Sequence, residues 1–223
     1  MDRSRFCSIS VLGFLSICLA VDSATADAQE SQRYVDTRGQ LKHARNLFDA
    51  GKPVAAMDAV NDVIEHHPSL AEAYATRGSL RQYANNHEEA VDDLSKAISQ
   101  GMSRCEIYVT RAISKTELGD FSGAIADCST AIELTSDSSF AYAIRGSSRL
   151  RQKAYKRAID DLDMAIMLDV KCEIAYLCRA VCRLNEGDIV GAAEDFRKHQ
   201  SLKAKSLGHD GYRAYDGQPF TTK

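Results

Sequence analysis

Cys178 and Cys182 are the residues of this chain whose type and spacing could most readily support chemistry, because they lie one helical turn apart. Two thiolates can ligate a soft metal ion, and a free thiol can act in redox chemistry. The same spacing suits a disulfide poorly, because helical side chains four residues apart do not present the required geometry. No histidine lies at a matching ligand spacing. We therefore favour packing of two small core residues, predict no metal and no cofactor, and keep a metal- or thiol-dependent activity as a distant alternative.

Acid–base chemistry has few candidates in the sequence. His66 and His67 precede a proline, where histidine can interact favourably with a helix C-terminus. The Asp92–Asp93 and Asp160–Asp161 pairs recur at twice a fixed period, which indicates architecture before catalysis. Neither a nucleophile beside a base nor a glycine-rich phosphate-binding loop is recognisable. The sequence predicts a protein without enzymatic activity.

The first 28 residues have the features of a secretory signal peptide. Arg3 and Arg5 precede an uncharged apolar run over 6–21, and small residues at Ala26 and Ala28 favour cleavage after Ala28. Cleavage after Ala26 is an alternative, and so is an uncleaved anchor, although the run is shorter than the roughly 20 residues that a spanning helix needs. We expect an exported protein, periplasmic or extracellular, with no stable membrane insertion after cleavage.

Composition narrows the class of fold and of partner. A formal net charge of -3, from 28 basic and 31 acidic residues, gives no field that would attract nucleic acid. Only three prolines interrupt long stretches of helix-forming residues, which predicts an all-α protein. After signal removal an odd number of cysteines remains, with an open redox state: Cys105, Cys128, Cys172, Cys178 and Cys182.

Comparison of the sequence with itself reveals a gapless repeat of 34 residues. Tyrosines recur at this period at positions 74, 108, 142 and 176, and arginines at 77, 111, 145 and 179. Two columns contain only small residues, which are Ala44, Gly78, Ala112, Gly146 and Ala180, then Ala56, Ala90, Ala124, Ala158 and Ala192. Small side chains on two antiparallel helices let their backbones approach closely. Turn-forming residues separate the two columns in each repeat, so we predict ten helices, with first helices near 37–50, 71–84, 105–118, 139–152 and 173–186.

The period, the aromatic residue, the small residue four positions later and the alanine of the second helix resemble the tetratricopeptide repeat (TPR). The resemblance implies a right-handed α-solenoid of about five helix-turn-helix repeats, over 37–70, 71–104, 105–138, 139–172 and 173–204. A linker over 29–36 would precede them. A helical, polar C-terminal cap and a flexible tail over 205–223 would follow. Gln40 in the first repeat and His199 in the fifth depart from the pattern, as expected of end repeats.

A second pair of columns predicts ion pairs within each repeat. An aspartate follows each recurring arginine by sixteen residues, on the second helix, and the first repeat lacks both partners. Pairing with the arginine of the next repeat would leave one member of each column over, whereas pairing within a repeat leaves none. The predicted pairs are Arg77–Asp93, Arg111–Asp127, Arg145–Asp161 and Arg179–Asp195.

The resemblance also implies a concave groove lined by the second, fifth, ninth, twelfth and thirteenth residues of each repeat. This groove lacks the basic clamp with which chaperone-binding members hold a C-terminal carboxylate. It suits instead an apolar, extended or helical segment of another protein. The predicted binding residues are Tyr83, Val109, Ile113, Glu117, Phe140, Leu150, Arg151, Leu177 and Leu184. We therefore predict an interaction scaffold or adaptor whose partner the sequence does not identify. A self-associating structural component, and coverage of the groove by the chain's own tail or a second copy, are the alternatives.

Overall fold

A computed structural model describes residues 36–207, with side chains over 36–204. This range contains ten α-helices and no strand, which confirms the predicted all-α fold. The predicted signal peptide, its cleavage after Ala28 and most of the predicted linker and tail lie outside the described residues. Two compact units make up the chain, one ending at Pro68 and the other beginning at Ser69. Within the described range, no helix is both long enough and apolar enough to cross a membrane.

The first unit contains one helical hairpin, with α1 over 36–49 and α2 over Pro53–His66. Proline occupies the first position of α2, where its missing N–H removes no helical hydrogen bond. Small and medium apolar side chains form the buried face of the hairpin, namely Leu41, Ala44, Ala56, Val60 and Val63.

The second unit contains four more hairpins. Their helices are α3 (Ala71–Tyr83), α4 (His87–Ser99), α5 (Cys105–Glu117), α6 (Phe121–Leu134), α7 (Ser139–Arg151), α8 (Tyr155–Leu168), α9 (Glu173–Asn185) and α10 (Ile189–Leu207). The first helices α3, α5 and α7 each contact the next first helix, whereas the second helices α4, α6, α8 and α10 contact first helices only. The first helices therefore form the more closely spaced layer of the unit.

Small residues bring the two helices of a hairpin together, as the sequence columns predict. A Cβ atom on Gly146 of α7 would lie 2.7 Å from Cγ of Leu162 on α8, and one on Gly78 would lie 2.7 Å from Cγ of Leu94. Both distances are shorter than a van der Waals contact. The facing alanines Ala90 and Ala158 are fully buried. Glycine thus fits these two crossings better than a residue with a Cβ, because the leucine occupies the space of a side chain.

All five hairpins turn in the same way. The backbone takes a positive φ at one position per turn, with φ of 72° at Gly51, 60° at Asn85, 83° at Gly119, 62° at Lys153 and 85° at Gly187. These positions are 34 residues apart. In the fourth hairpin the amide of Ala154 donates to the carbonyl of Arg149 at 2.9 Å, which closes the end of α7. Lys153 is the one residue of the set that is neither glycine nor asparagine.

The last helix is longer than the others. It has 19 residues, against 14 in α8, and therefore continues past the length of the repeat. His199 lies beside the start of α9, with its Nδ1 3.2 Å from the carbonyl oxygen of Glu173. The extension begins beyond this contact, and its side chains are mostly exposed over 200–204.

Candidate functional site

An open cleft of about 350 Å³ lies along the layer of first helices in the second unit. Four successive first helices contribute to it, so its shape depends on how neighbouring hairpins stack. The residues that line the cleft are Gln82, Tyr83, Asn85, Ile113, Thr116, Glu117, Phe140, Ile144, Ser147 and Ile174. The aliphatic side chains and the phenylalanine come from α5, α7 and α9, and the polar side chains come mainly from the ends of α3 and α5.

The apolar side of the cleft rests directly on the hydrophobic core. Ile113, Phe140 and Ile174 are partly buried and pack against a core cluster that contains Val109 and Ile144. Beneath them, the hydroxyl groups of Thr116 and Ser148 lie 2.9 Å apart and join α5 to α7. A surface supported in this way is held in shape before any partner arrives, which reduces the entropic cost of binding.

Four of the nine residues predicted to bind a partner line this cleft. Tyr83 is 47% exposed at the last residue of α3, and Glu117 is exposed at the last residue of α5. Ile113 and Phe140 contribute part of the apolar side. The cleft therefore brings together predicted residues from the second, third and fourth repeats.

The other five predicted residues lie elsewhere. Val109 is only 6% exposed, because the following hairpin places it in a core cluster. Leu150 is partly buried against a second core cluster, and the guanidinium of Arg151 lies over the ring of Phe121 at 5.3 Å from its centroid. Leu177 and Leu184 are 37% and 46% exposed, but neither lines the cleft.

Two lining residues, Asn85 and Ile144, lie outside the register positions expected to form a groove. Asn85 occupies the positive-φ turn position, where its conformation directs it to the end of the cleft. Ile144 is the only large apolar residue in its column, in which the other hairpins of the second unit have threonine or cysteine. That irregularity is the one sequence signal that could have identified it.

The recurring arginines and aspartates meet within each hairpin of the second unit. The shortest distances are 2.8 Å for Arg77–Asp93, 2.6 Å for Arg111–Asp127, 2.8 Å for Arg145–Asp161 and 2.6 Å for Arg179–Asp195. The aspartate side chains are at most 7% exposed. Two nitrogens of the Arg77 guanidinium donate to both oxygens of Asp93, and this hydrogen bonding raises the pKa of Arg77. We call these four aspartates and their cations the aspartate ladder.

Sequence comparison did not identify the second cation of each rung. It lies four residues after the ladder arginine and approaches the same aspartate at 2.6 Å from Arg81, 2.8 Å from Lys115, 2.7 Å from Arg149 and 2.9 Å from Arg183. The ladder also connects neighbouring hairpins. Arg111 donates to the hydroxyl of Ser95 at 3.0 Å and Arg145 to that of Ser129 at 3.2 Å, in each case on the preceding hairpin. A buried carboxylate with two cations is fully paired, so the ladder is a structural element.

Solved structures similar to this chain share its arrangement of hairpins. YrrB, described as a TPR protein with an unusual peptide-binding site, is 18% identical, with a TM-score of 0.62 over 75% of this chain and 87% of its own. TTC0263, a TPR protein of Thermus thermophilus, is 15% identical, with a TM-score of 0.63 over 77% of this chain and 94% of its own. PilW, a type IV pilus biogenesis factor, is 17% identical, with a TM-score of 0.68 over 75% of this chain and 78% of its own. No protein-family model matches the sequence, and neither does any curated protein.

The chain has the TPR fold. Structural similarity at such low sequence identity establishes the architecture and leaves the partner and the process open. The resemblance that the 34-residue period indicated is confirmed at the level of the fold.

In this TPR fold the cysteines are core residues. All five in the described range are free and buried. Burial raises the pKa of Cys128 to about 12 and that of Cys182 to about 12, so the thiolate that would react or bind metal is scarce at neutral pH. No group of three or more histidine, cysteine, aspartate or glutamate residues in the described part of the chain is placed to hold a metal ion. The thiols thus pack as small apolar side chains.

Proposed function

We propose that this chain is a non-enzymatic scaffold that binds an apolar, extended or helical segment of another protein in the cleft of its first helices. The observation that carries the proposal is the cleft itself, whose apolar side chains are partly exposed and rest on a rigid core. Partly exposed aromatic and aliphatic side chains in a supported concave surface are the usual anchors of peptide recognition. The peptide-binding site of YrrB belongs to that protein, and it supports the same use of the fold here.

The proposed location of this binding is the cell envelope or the space outside the cell. The support comes from the signal-peptide features of residues 1–28. PilW, which shares the fold, is a pilus biogenesis factor. Export is tested by N-terminal sequencing of the protein purified from its source, which should begin at Gln29.

Binding in the cleft is tested with a pair of matched variants of the mature chain. Tyr83→Asp places a charge in the cleft, whereas Val190→Asp places the same charge on α10, at a side chain that is 72% exposed and does not line it. Each protein is immobilised and exposed to an envelope or secreted fraction, and retained proteins are quantified by mass spectrometry. We expect a protein retained by the wild type and Val190→Asp and lost from Tyr83→Asp. Equal retention by all three would contradict binding in the cleft.

Self-association is a second candidate, favoured by the exposure of Leu177. Its equivalents in the two preceding hairpins, Val109 and Ala143, are 6% and 0% exposed, because each lies in a core cluster that includes the next first helix. Among the described residues no further first helix follows α9, and Leu177 is 37% exposed. A second copy of the chain could supply that cover.

Light scattering coupled to size exclusion separates this candidate from the first. If self-association through this face occurs, the wild type should be dimeric or larger and Leu177→Lys should be monomeric. Val54→Lys, at a residue that is 75% exposed in the first unit, is the control. A monomeric wild type over a wide concentration range would eliminate the candidate.

A further inference from the structure

Charge is distributed unevenly around the cleft. Among the described residues that line the cleft, Glu117 is the only acidic or basic one, and its side chain is exposed at the end of α5. No cation of the described residues lies within ion-pair distance of it. The buried aspartates behind the same helices, by contrast, each have two cations. The carboxylate of Glu117 is therefore a charge of the cleft that residues 36–204 leave without an ion pair.

The nearest cation along the same row of positions does not neutralise Glu117. Arg151 occupies the equivalent position on α7, and its guanidinium lies over the Phe121 ring, 5.3 Å from the centroid. Lys115 precedes Glu117 by two residues and therefore faces another side of α5, where it contacts Asp127 at 2.8 Å. Both cations are thus occupied by their own neighbours.

Two further features favour a cation beside Glu117. Tyr83 occupies the equivalent position on α3, the neighbouring first helix, and its ring is a partly exposed aromatic surface in the same cleft. An aromatic face attracts an ammonium or guanidinium group. Tyr83 and Glu117 are also the last residues of α3 and α5, so the negative ends of two helix dipoles meet at this end of the cleft.

We infer that the cleft selects a protein segment in which a lysine or arginine lies next to bulky apolar residues. The apolar side chains occupy the surface of Ile113, Phe140 and Ile174, and the cation lies between the Tyr83 ring and the Glu117 carboxylate. The inference rests on the proposed function and specifies its partner by chemistry. An apolar segment without a basic residue would leave Glu117 partly desolvated and unpaired, which weakens binding.

Selection from a random peptide library displayed on phage tests the inference with the full mature chain as bait. Peptides recovered on the wild type are synthesised, and their dissociation constants are measured by fluorescence anisotropy. We expect them to combine apolar residues with lysine or arginine. Replacing the basic residue of a peptide by glutamine should weaken binding about tenfold, in the range of a desolvated charge pair. Glu117→Lys should weaken binding of the basic peptide by at least that factor. The same variant should bind more tightly a peptide in which glutamate replaces the basic residue.

Matched variants make the outcomes distinguishable. Glu133→Lys changes the same charge at an exposed position on α6 outside the cleft and should leave both peptides unaffected. Peptides that lose binding to Phe140→Asp but show no basic preference, or no response to Glu117→Lys, would overturn this inference and leave the proposed function standing. Peptides that bind Phe140→Asp as tightly as the wild type, or a selection that recovers none, would count against both. Circular dichroism of each variant confirms that it is folded.

Discussion

The fourth hairpin and the third solve the same packing problem in different ways. In the fourth, α7 and α8 cross at Gly146 with Leu162 opposite, and a Cβ on the glycine would lie 2.7 Å from the leucine Cγ. In the third, Ala112 occupies the equivalent position, and the smaller Cys128 takes the place of the leucine. Ala112, Cys128 and Leu162 are 0% exposed, and Gly146 is buried as well. The comparison shows that the two columns share one volume, which is divided differently in each hairpin.

Loss of the large partner should have the largest effect and should differ between the two hairpins. Leu162→Ala removes most of a fully buried side chain opposite a glycine, which cannot fill the space, so we expect a loss of about 3–5 kcal/mol of unfolding free energy. Cys128→Ala removes one sulfur atom opposite an alanine and should cost about 1–2 kcal/mol. Urea denaturation followed by far-ultraviolet circular dichroism measures both. Equal losses would show that the hairpins do not differ in packing.

The aspartate ladder is common to both hairpins, so its removal should affect them equally. Asp161→Asn in the fourth hairpin leaves Arg145 and Arg149 without a carboxylate, and Asp127→Asn does the same to two cations of the third. We expect each to cost about 1–3 kcal/mol, below the value for a fully buried pair because the arginine and lysine side chains are 15% to 23% exposed. Native-state hydrogen exchange should show the loss in the altered hairpin and, through Ser129, in its neighbour.

A methyl group at the glycine crossing should have a smaller effect, because two contributions oppose each other. In Gly146→Ala the added methyl group crowds Leu162, which should lower the unfolding free energy by about 1–3 kcal/mol. The higher helix propensity of alanine offsets about 1 kcal/mol of this loss. The double variant Gly146→Ala with Leu162→Cys recreates the pair found in the third hairpin. Its loss of unfolding free energy should be smaller than the sum of the losses in the two single variants by at least about 0.5 kcal/mol. Additive free energies in this double-mutant cycle would refute a shared volume.

The sequence contains most of the information about the hairpins and less about the cleft. The columns of small residues predict where helices cross, and their count predicts ten helices, because each hairpin depends on residues close in the chain. Leu162 and Gly146 are sixteen residues apart, as are Arg145 and Asp161, so both contacts repeat within a hairpin. Such local contacts leave a periodic record in the sequence.

Features that depend on stacking between hairpins were harder to predict. The register position of Val109 predicts a place in the groove, but the next hairpin buries it. Ile144 lines the cleft from a position outside those that the register assigns to the groove. The column of second cations mixes lysine with arginine, so it does not appear as a repeat of one residue type. Val109 and Ile144 depend on neighbours from another repeat, and the second cations do not share one residue type. No single column of the sequence therefore reveals these contacts.

The smallest expected effect concerns the turn of the fourth hairpin compared with the third. Lys153 has a φ of 62° where the third hairpin has Gly119 at 83°, and this left-handed conformation costs a residue with a Cβ about 1–2 kcal/mol. Lys153→Gly should therefore stabilise the protein by about 0.5–1 kcal/mol, since the strain removed exceeds the added freedom of the unfolded chain. Lys156→Gly, three residues later in the first turn of α8, removes an exposed lysine from a helical position and should destabilise by about 0.5 kcal/mol. If both changes destabilise in urea denaturation, the side chain of Lys153 must contribute contacts that outweigh its backbone strain. The turn of the fourth hairpin would then differ from the third in its interactions as well as in its residue.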